Sequence, residues 1–227
     1  MSLHEQIIHQ HHHFLEKNSQ DWLNEERKSA LQKMIANGFP TKKDEEYKYT
    51  NLKEITEKDY NFFPTINHQI SKKHLDDLHF GEENFDFVVF INGKFYPEFS
   101  KLSDQRIEFS SFETLLNSEK NSAVFDDYLN TIAAHNLVFP LLNWSYFSNG
   151  FYLRVPKNTI VEKPIHVFYL SQNQKENTFY NPRNLLIAEQ GAHIEIIESH
   201  HNFDETFVLT NTVTEIFADK NAKADWH

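Results

Sequence analysis

A short motif that occurs three times after residue 150 constrains the fold of this chain more than any other feature. Each copy has Asn or Gly, a small residue, any residue, an aliphatic residue and then a carboxylate, at 158–162, 191–195 and 221–225. The copies lie 33 and 30 residues apart, a spacing typical of solenoid proteins. Because Asn and Gly tolerate positive φ, each copy is predicted to begin at a sharp corner. The repeat therefore favours a parallel β-helix over a β-sandwich.

The repeat continues to the end of the sequence. Residues 187–189 align with residues 217–219 just before the corner, so the second and third copies share the longer match. The sequence stops at Trp226-His227, inside the third copy, whereas a solenoid normally ends in a cap that covers its last coil. We therefore expect either that another molecule covers the open end or that the sequence is a fragment.

The two parts of the chain differ in pattern. Residues 1–150 are predicted to form a mainly helical domain, and residues 151–227 the start of the β-helix. The first part also contains a β-rich run that ends at Asn92-Gly93, the dipeptide most typical of a tight hairpin turn. A β-hairpin is therefore predicted near residues 85–96, inside the helical part.

Apolar residues at three- and four-residue spacing predict two longer helices. The first covers residues 20–37, with Ser19 as its N-cap and Gly38 as the left-handed residue after its last turn. The second covers residues 122–139 and is predicted to end before Pro140.

Composition excludes several classes of function. The sequence has no cysteine, which removes disulfides, thiolate nucleophiles and cysteine-bound metal clusters from this polypeptide. Its 5 glycines form no phosphate-binding motif. A net charge of -11 with scattered arginines argues against nucleic acid as a partner. The longest apolar run, 87–91, is far too short to span a membrane, so we expect a soluble, cytoplasmic protein.

Several segments, in order between residues 27 and 225, resemble the SufD family of scaffold proteins for iron–sulfur cluster assembly. The segments are 38–50, Asn143–Gly150, Val155-Pro156, Glu162–Ile165, Pro182–Asn184 and Thr212–Ile216. The resemblance covers only the first half of a family chain. It implies a helical N-terminal domain followed by a right-handed parallel β-helix.

The same resemblance implies partners. A SufB-like scaffold and a SufC-like ATPase would work with this chain, so that ATP is used by a partner and iron–sulfur clusters are handled by the complex. The family residues associated with cluster building would lie beyond His227. We therefore carry no catalytic, cofactor-binding or metal-binding residue over to this sequence.

Histidines raise the question of a metal site. The densest set is His9, His11, His12 and His13, and His9 and His13 share one helical face with Glu5 one turn earlier, a geometry suited to zinc or nickel. The competing interpretation is a solvated, mobile or tag-like N-terminal helix. His200-His201 with Asp204-Glu205 could also bind a cation, although the stretch is more typical of a polar loop.

Charged residues near the repeat leave two further alternatives. Glu162, Glu195 and Asp225 would form a ladder of carboxylates along a solenoid, as in β-helix enzymes that act on carbohydrate. His193 and Lys223 lie two positions before two of these carboxylates and could simply neutralise them. Arg183 would bind an anion or a partner's carboxylate, or form a salt bridge to a neighbouring coil.

The sequence thus predicts a non-catalytic scaffold protein, not an enzyme. The alternatives are a stand-alone carbohydrate-acting β-helix enzyme and a histidine-based metal-binding module. The expected partners are the SufB-like and SufC-like proteins, with a homodimer as a further assembly and with neither nucleic acid nor membrane.

Overall fold

A computed structural model of the chain describes residues 1–18, 21–78, 84–118 and 122–227. Ser19, predicted as a helix N-cap, lies outside these ranges. The α-helices of the described residues are α1 Leu3–Lys17, α2 Asp21–Asn37, α3 Lys53–Thr56, α4 Lys72–Leu78, α5 Phe112–Leu116, α6 Ser122–Asp127 and α7 Val138–Tyr146. In these ranges, no helix is long and apolar enough to cross a membrane.

The strands fall mainly after the helices. They are β1 Asp86–Ile91, β2 Lys94–Phe95, β3 Glu108–Ser111, β4 Asn149–Val155, β5 Ile165–Ser171, β6 Thr178–Tyr180, β7 Pro182–Ala188, β8 His193–Asn202, β9 Val208–Thr210, β10 Val213–Ala218 and β11 Lys223–Trp226. The prediction of a mixed α and β chain, with helices followed by sheets, is confirmed.

The N-terminal helix α1 is packed against the protein and is not the mobile helix that the sequence allowed. Ser2 and Glu5 form a reciprocal capping box at its start. Leu3, Ile7 and Phe14 are buried on one face, which follows from their spacing on a helix. The histidines obscured this apolar stripe in the sequence.

Helix α2 confirms the first helix prediction. Leu23, Ala30 and Met34 are buried along it. Gly38 follows the last residue with a φ of 65°, and its backbone N–H donates to the Met34 carbonyl at 3.0 Å. Gly38 therefore ends the helix in the left-handed conformation that glycine adopts at little cost.

The single helix predicted over residues 122–139 is wrong. The chain leaves the helical conformation after α6, and Asn130 has a φ of 61°. The backbone N–H groups of Asn130, Ile132 and Ala133 donate to the Glu215 carboxylate, at 2.8, 3.2 and 3.2 Å. A side chain far away in sequence therefore accepts hydrogen bonds from backbone N–H groups that a continuous helix would have paired internally. Pro140 does not end a helix but lies in the first turn of α7, where a missing N–H costs nothing.

The predicted hairpin is confirmed and extends a larger sheet. β1 and β2 pair antiparallel on either side of Asn92-Gly93, and both turn residues have positive φ. β1 also pairs in parallel with β5, so the first sheet has the order β11-β8-β5-β1-β2. A second sheet has the order β10-β7-β4-β3, and β6 pairs with β9 in a third.

The register of the parallel strands confirms the repeat. Residues 223–226 of β11 lie beside residues 193–196 of β8, and Ile160 forms an isolated parallel bridge with His193. The predicted corner residues Asn158, Gly191 and Asn221 have φ values of 57°, 70° and 59°. All three copies of the motif therefore turn in the same way and stack in register.

The second sheet lies between two hydrophobic clusters because side chains alternate along its strands. Tyr152 and Leu185 belong to the cluster shared with the helices, which also contains Leu23 and Met34. Their neighbours Leu153 and Leu186 point the other way, into the cluster shared with the first sheet. Burial on both faces explains why β7 is apolar along most of its length.

Gly150 allows the paired strands β4 and β7 to approach closely at the start of β4. It has a φ of 114°, and a Cβ atom there would lie 1.8 Å from the backbone oxygen of Arg183. Gly38 offers a matched comparison, since it also has positive φ but a Cβ atom would meet nothing within 4 Å.

We expect Gly150→Ala to lower the free energy of unfolding by more than about 3 kcal/mol, because strain adds to a backbone clash. Gly38→Ala should cost only about 1 kcal/mol, the conformational term alone. Urea unfolding followed by circular dichroism would measure both variants. Equal losses would show that the close approach at Gly150 does not constrain the fold.

Candidate functional site

Arg183 forms a buried ion pair, which settles the alternatives that the sequence left open. Its Nη2 atom lies 2.6 Å from Oε2 of Glu215 on the neighbouring strand β10, and both side chains are at most 1% exposed. Arg183 also donates to the Oδ1 atoms of Asn143 and Asn130, at 3.0 and 2.9 Å. Burial lowers the pKa of Arg183, and the Glu215 charge opposes that shift. Since it is enclosed, this guanidinium cannot bind a partner's carboxylate.

The N-terminal histidines do not converge. His13 lies 3.4 Å from Glu16 and its ring packs edge-on against Phe63, while His12 is exposed. Across the described ranges, no three His, Asp or Glu side chains come together as metal ligands.

His11 is the buried member of this group. It contacts the rings of Phe14 and Tyr146, with centroids 6.5 and 5.2 Å away. Burial lowers the pKa of His11 to about 4, although a hydrogen bond to the Ser145 backbone acts in the opposite direction. This histidine is therefore neutral in the folded protein near pH 7.

His200 and His201 lie on β8, not in the polar loop that the sequence predicts. His200 Nε2 is 2.7 Å from Glu198 Oε1, and its ring stacks on Tyr169 at a centroid distance of 4.9 Å. Burial lowers the pKa of His201, and the neighbouring His200 adds to that effect. The two side chains face opposite ways, as adjacent strand residues do.

Asp204, the third member of that predicted cation site, has another role. Its carboxylate accepts from the backbone N–H groups of Asn173 and Gln174, at 3.0 and 2.8 Å. It therefore holds the loop between β5 and β6 against the segment that follows β8.

Two carboxylates of the predicted ladder lie side by side. Asp225 lies beside Glu195 on adjacent parallel strands. Each has a basic side chain nearby: Lys223 lies 2.7 Å from Asp225, and His227 lies 3.5 Å from Glu195. The Asp225 carboxylate raises the pKa of Lys223. These contacts favour neutralisation of the two carboxylates over acid–base catalysis. Lys223 has the role that the sequence predicts for it, and His227 lies beside Glu195, where the sequence analysis expected His193.

A buried polar cluster between the strands was missed by the sequence analysis. Asn184 accepts from the Tyr169 hydroxyl at 2.7 Å and donates to Thr214 Oγ1 at 3.2 Å. A longer contact of 3.4 Å joins it to Glu198. The sequence signal for this cluster was an Asn just before the apolar run 185–187, because a buried side-chain amide requires hydrogen-bond partners.

Three strands form the outermost members of the parallel arrangement in the described part of the chain. They are β9, β10 and β11, one in each sheet. Apolar side chains on β10 and β11 are only half-buried, among them Phe217 and Trp226. On the opposite side, β1 and β3 cover the edges of β5 and β4. The covered and uncovered edges therefore lie at opposite ends of the stack.

Two family models together match nearly the whole sequence. The SufBD protein N-terminal region matches residues 2–167, and the SufBD core domain of the SUF system for FeS cluster assembly matches residues 169–227. The chain belongs to the SufBD family. The predicted family is thereby confirmed at the level of SufBD, and the predicted division at residue 150 stays a prediction.

Curated SufBD relatives are longer than this chain. An iron–sulfur cluster assembly SufBD family protein of Synechocystis is 26% identical over 195 residues, which cover 82% of this chain and 42% of that protein. Protein ABCI7, chloroplastic, of Arabidopsis thaliana is 28% identical over 209 residues, or 87% of this chain and 42% of that protein. The chain thus spans less than half the length of these relatives.

We expect the Arg183–Glu215 pair to contribute strongly to stability because it is enclosed. Glu215→Gln should lower the free energy of unfolding by about 3 to 5 kcal/mol, since it leaves a buried guanidinium without its counter-charge. Asp104→Asn is the matched control: the Arg106–Asp104 pair has the same separation of 2.6 Å, but Arg106 is 58% exposed. Similar losses in the two variants, measured by urea unfolding, would contradict this assignment.

His11 predicts a loss of stability in acid. Its folded pKa of about 4 lies below the ordinary value of 6.5, so the unfolded chain binds the proton first as pH falls. Stability should be complete above pH 6.5 and fall by about 2 kcal/mol towards pH 4, after allowance for solvent near the ring. His11→Gln should remove this part of the pH dependence, whereas His12→Gln should retain it. An unchanged pH profile in His11→Gln would refute the prediction.

Proposed function

We propose that this chain is the first part of a SufD-type scaffold that acts in iron–sulfur cluster assembly without catalysing a reaction itself. The match of both SufBD models, in chain order and over residues 2–227, carries the proposal. The clusters are then cargo of the assembly. A SufB-like scaffold and a SufC-like ATPase are the proposed partners, with the ATPase as the source of nucleotide chemistry.

The role of its polar groups supports a non-catalytic function. These 227 residues contain no cysteine and so offer no thiolate to iron or sulfur. The Arg183–Glu215 pair is enclosed, and Asp225 is engaged by Lys223. Arg183, Glu215 and Asp225 are therefore engaged in ion pairs within or between strands.

The parallel strands support a more specific architecture. We propose that they are the first coils of a right-handed parallel β-helix, with one strand from each coil in each of the three sheets. Strand partners such as β4 and β7, or β5 and β8, are separated by about one repeat. Right-handed crossovers are strongly favoured between parallel strands of one sheet. The positive φ values of Asn158, Gly191 and Asn221 supply the corners.

The outer strands β9, β10 and β11 support a role in assembly. Strand edges have unpaired backbone donors and acceptors that another strand can satisfy. Half-buried apolar residues beside them, such as Phe217 and Trp226, would gain burial from the same contact. In a SufBD protein of full length we propose that a further coil occupies this edge and that the solenoid then continues towards its scaffold partner.

The proposed location is the cytoplasm, as the sequence analysis suggested. The printed name of the Arabidopsis relative places that protein in the chloroplast. Fractionation of cells that express a tagged protein at its natural level would decide between the compartments.

Affinity purification of the full-length protein from its own cells tests the scaffold function. We expect a stable complex that contains an ATPase and a second SufBD protein, and we expect deletion of the gene to lower the activity of cellular iron–sulfur enzymes. The double variant Glu195→Gln, Asp225→Asn should retain both the complex and the enzyme activities. A solitary protein that cleaves polysaccharide, and loses that activity in the double variant, would overturn the proposal in favour of a carbohydrate-acting enzyme.

A further inference from the structure

Strand β8 extends beyond its outer neighbour β11. β8 has 10 residues and β11 has 4, which lie beside residues 193–196 of β8. One further hydrogen bond follows, in which the Glu198 N–H donates to the His227 carbonyl at 2.8 Å. Residues 199–202 of β8 pair with β5 on one side. On their other side, no strand of the described part of the chain lies beside them.

The backbone groups of this stretch point to the unpaired side in a fixed order. Along a strand in a parallel sheet, successive residues direct their N–H groups to opposite neighbours. Glu198 donates towards β11, whereas Phe203 donates to the Ser171 carbonyl on β5 at 2.9 Å. His200 and Asn202 therefore direct their N–H groups away from β5, as Glu198 does. A parallel strand added on this side would accept hydrogen bonds from both.

The ring of His200 has an exposed face on the same side. Phe90, Tyr169 and His200 lie beside one another on β1, β5 and β8. Neighbouring rings in this row are 5.0 Å apart at 18° and 4.9 Å apart at 13°, so they stack face to face. His200 is the last ring, and its side chain is 39% exposed, whereas Tyr169 is buried. A side chain on an added strand would bury the outer face of the imidazole.

The three rings also line a cavity of about 260 Å³. Strand β8 contributes His200, His201 and Asn202 to its lining, and all three lie in the stretch that has no outer neighbour. A strand added beside them would extend this wall of the cavity.

The continuation of the same chain is the occupant that the observations favour. The match to the SufBD core domain runs to residue 227, and the part that aligns with this chain covers 42% of each of two curated relatives. Residues that directly follow His227 are held next to this edge by the pairing already present. Their effective concentration there is far higher than that of a strand from another molecule.

We propose that, in the full-length protein, the residues directly after His227 continue β11 in parallel along residues 198–202 of β8. The offset of 30 residues that places Lys223 beside His193 is kept, so that position 230 lies beside His200 and covers its ring. This proposal rests on the proposed solenoid architecture and specifies the register of its next strand.

Hydrogen exchange in the isolated full-length protein, followed by mass spectrometry with residue-level fragmentation, tests the proposal. We expect the amide hydrogens of His200 and Asn202 to exchange at least about 100-fold more slowly than in an unstructured peptide. The Phe203 amide should be protected in any case by its bond to β5, and the exposed Glu205 amide should exchange rapidly. Rapid exchange at His200 and Asn202 beside a protected Phe203 would overturn the proposal.

The same measurement identifies the source of the strand. Protection that increases with protein concentration would assign the edge to a second copy, and protection that requires a SufB-like protein would assign it to that partner. Either result would overturn the proposal. Because the protein is measured alone, a failure to find the proposed complex in cells would leave the exchange result unchanged.

A pair of substitutions at His200 tests the hydrogen bond itself. His200→Ala and His200→Pro both remove the ring, but only His200→Pro removes the N–H. In the full-length protein we expect His200→Pro to unfold at a urea concentration about 1 M lower than His200→Ala. Equal midpoints would contradict the proposal, because proline is tolerated on a strand edge whose N–H group faces solvent.

Discussion

The buried ion pair between Arg183 and Glu215 connects a turn, a helix and two strands that are up to 85 residues apart in sequence. Removing two charges from water costs several kcal/mol per ion, so such a pair persists only where the remaining donors and acceptors are also satisfied. Glu215 meets this condition by accepting from the turn at Asn130–Ala133 as well as from Arg183. Arg183 meets it at its two Nη atoms, which donate to Asn143 on α7 and to Asn130, and its guanidinium lies 4.7 Å from the Trp144 ring. Its Nε atom has no hydrogen-bond partner among the described residues. One pair of charges therefore fixes a turn, a helix and two strands relative to one another.

The same ion pair explains why the single helix predicted over residues 122–139 is wrong. Local spacing favours a helix through residue 139, but the carboxylate that captures the N–H groups of the turn lies more than 80 residues later. No local pattern contains that information. By contrast, the helix that ends at Gly38, the hairpin at Asn92-Gly93 and the corners of the repeat depend on the conformations that Gly and Asn tolerate. These features were predictable because their cause lies within a few residues.

Histidine-rich segments were the other source of error. The histidines of α1 suggested a solvated segment, yet Leu3, Ile7 and Phe14 on the same helix form a buried face. Likewise, His200 and His201 suggested a loop, whereas parallel pairing with β5 extends β8 to Asn202. In both places the imidazole contacts an aromatic ring: the buried His11 lies edge-on to Tyr146, and the exposed His200 stacks on Tyr169. Which rings are available depends on strand register and helix docking, and the sequence alone does not specify either.

Parallel register also links the interior of the stack to its helical cover. It aligns the rings of Phe90, Tyr169 and His200 in one row, and Phe14 of α1 and Tyr146 of α7 line the same cavity as these rings. Phe14 and Tyr146 are also the rings that contact His11. The Tyr146 hydroxyl donates to the Ile7 carbonyl, which holds α1 against α7. A proton on His11 therefore places a buried charge beside both rings. Acid thus weakens the packing of α1 against α7, because the same two aromatic rings that contact His11 belong to the hydrophobic cluster that the two helices share.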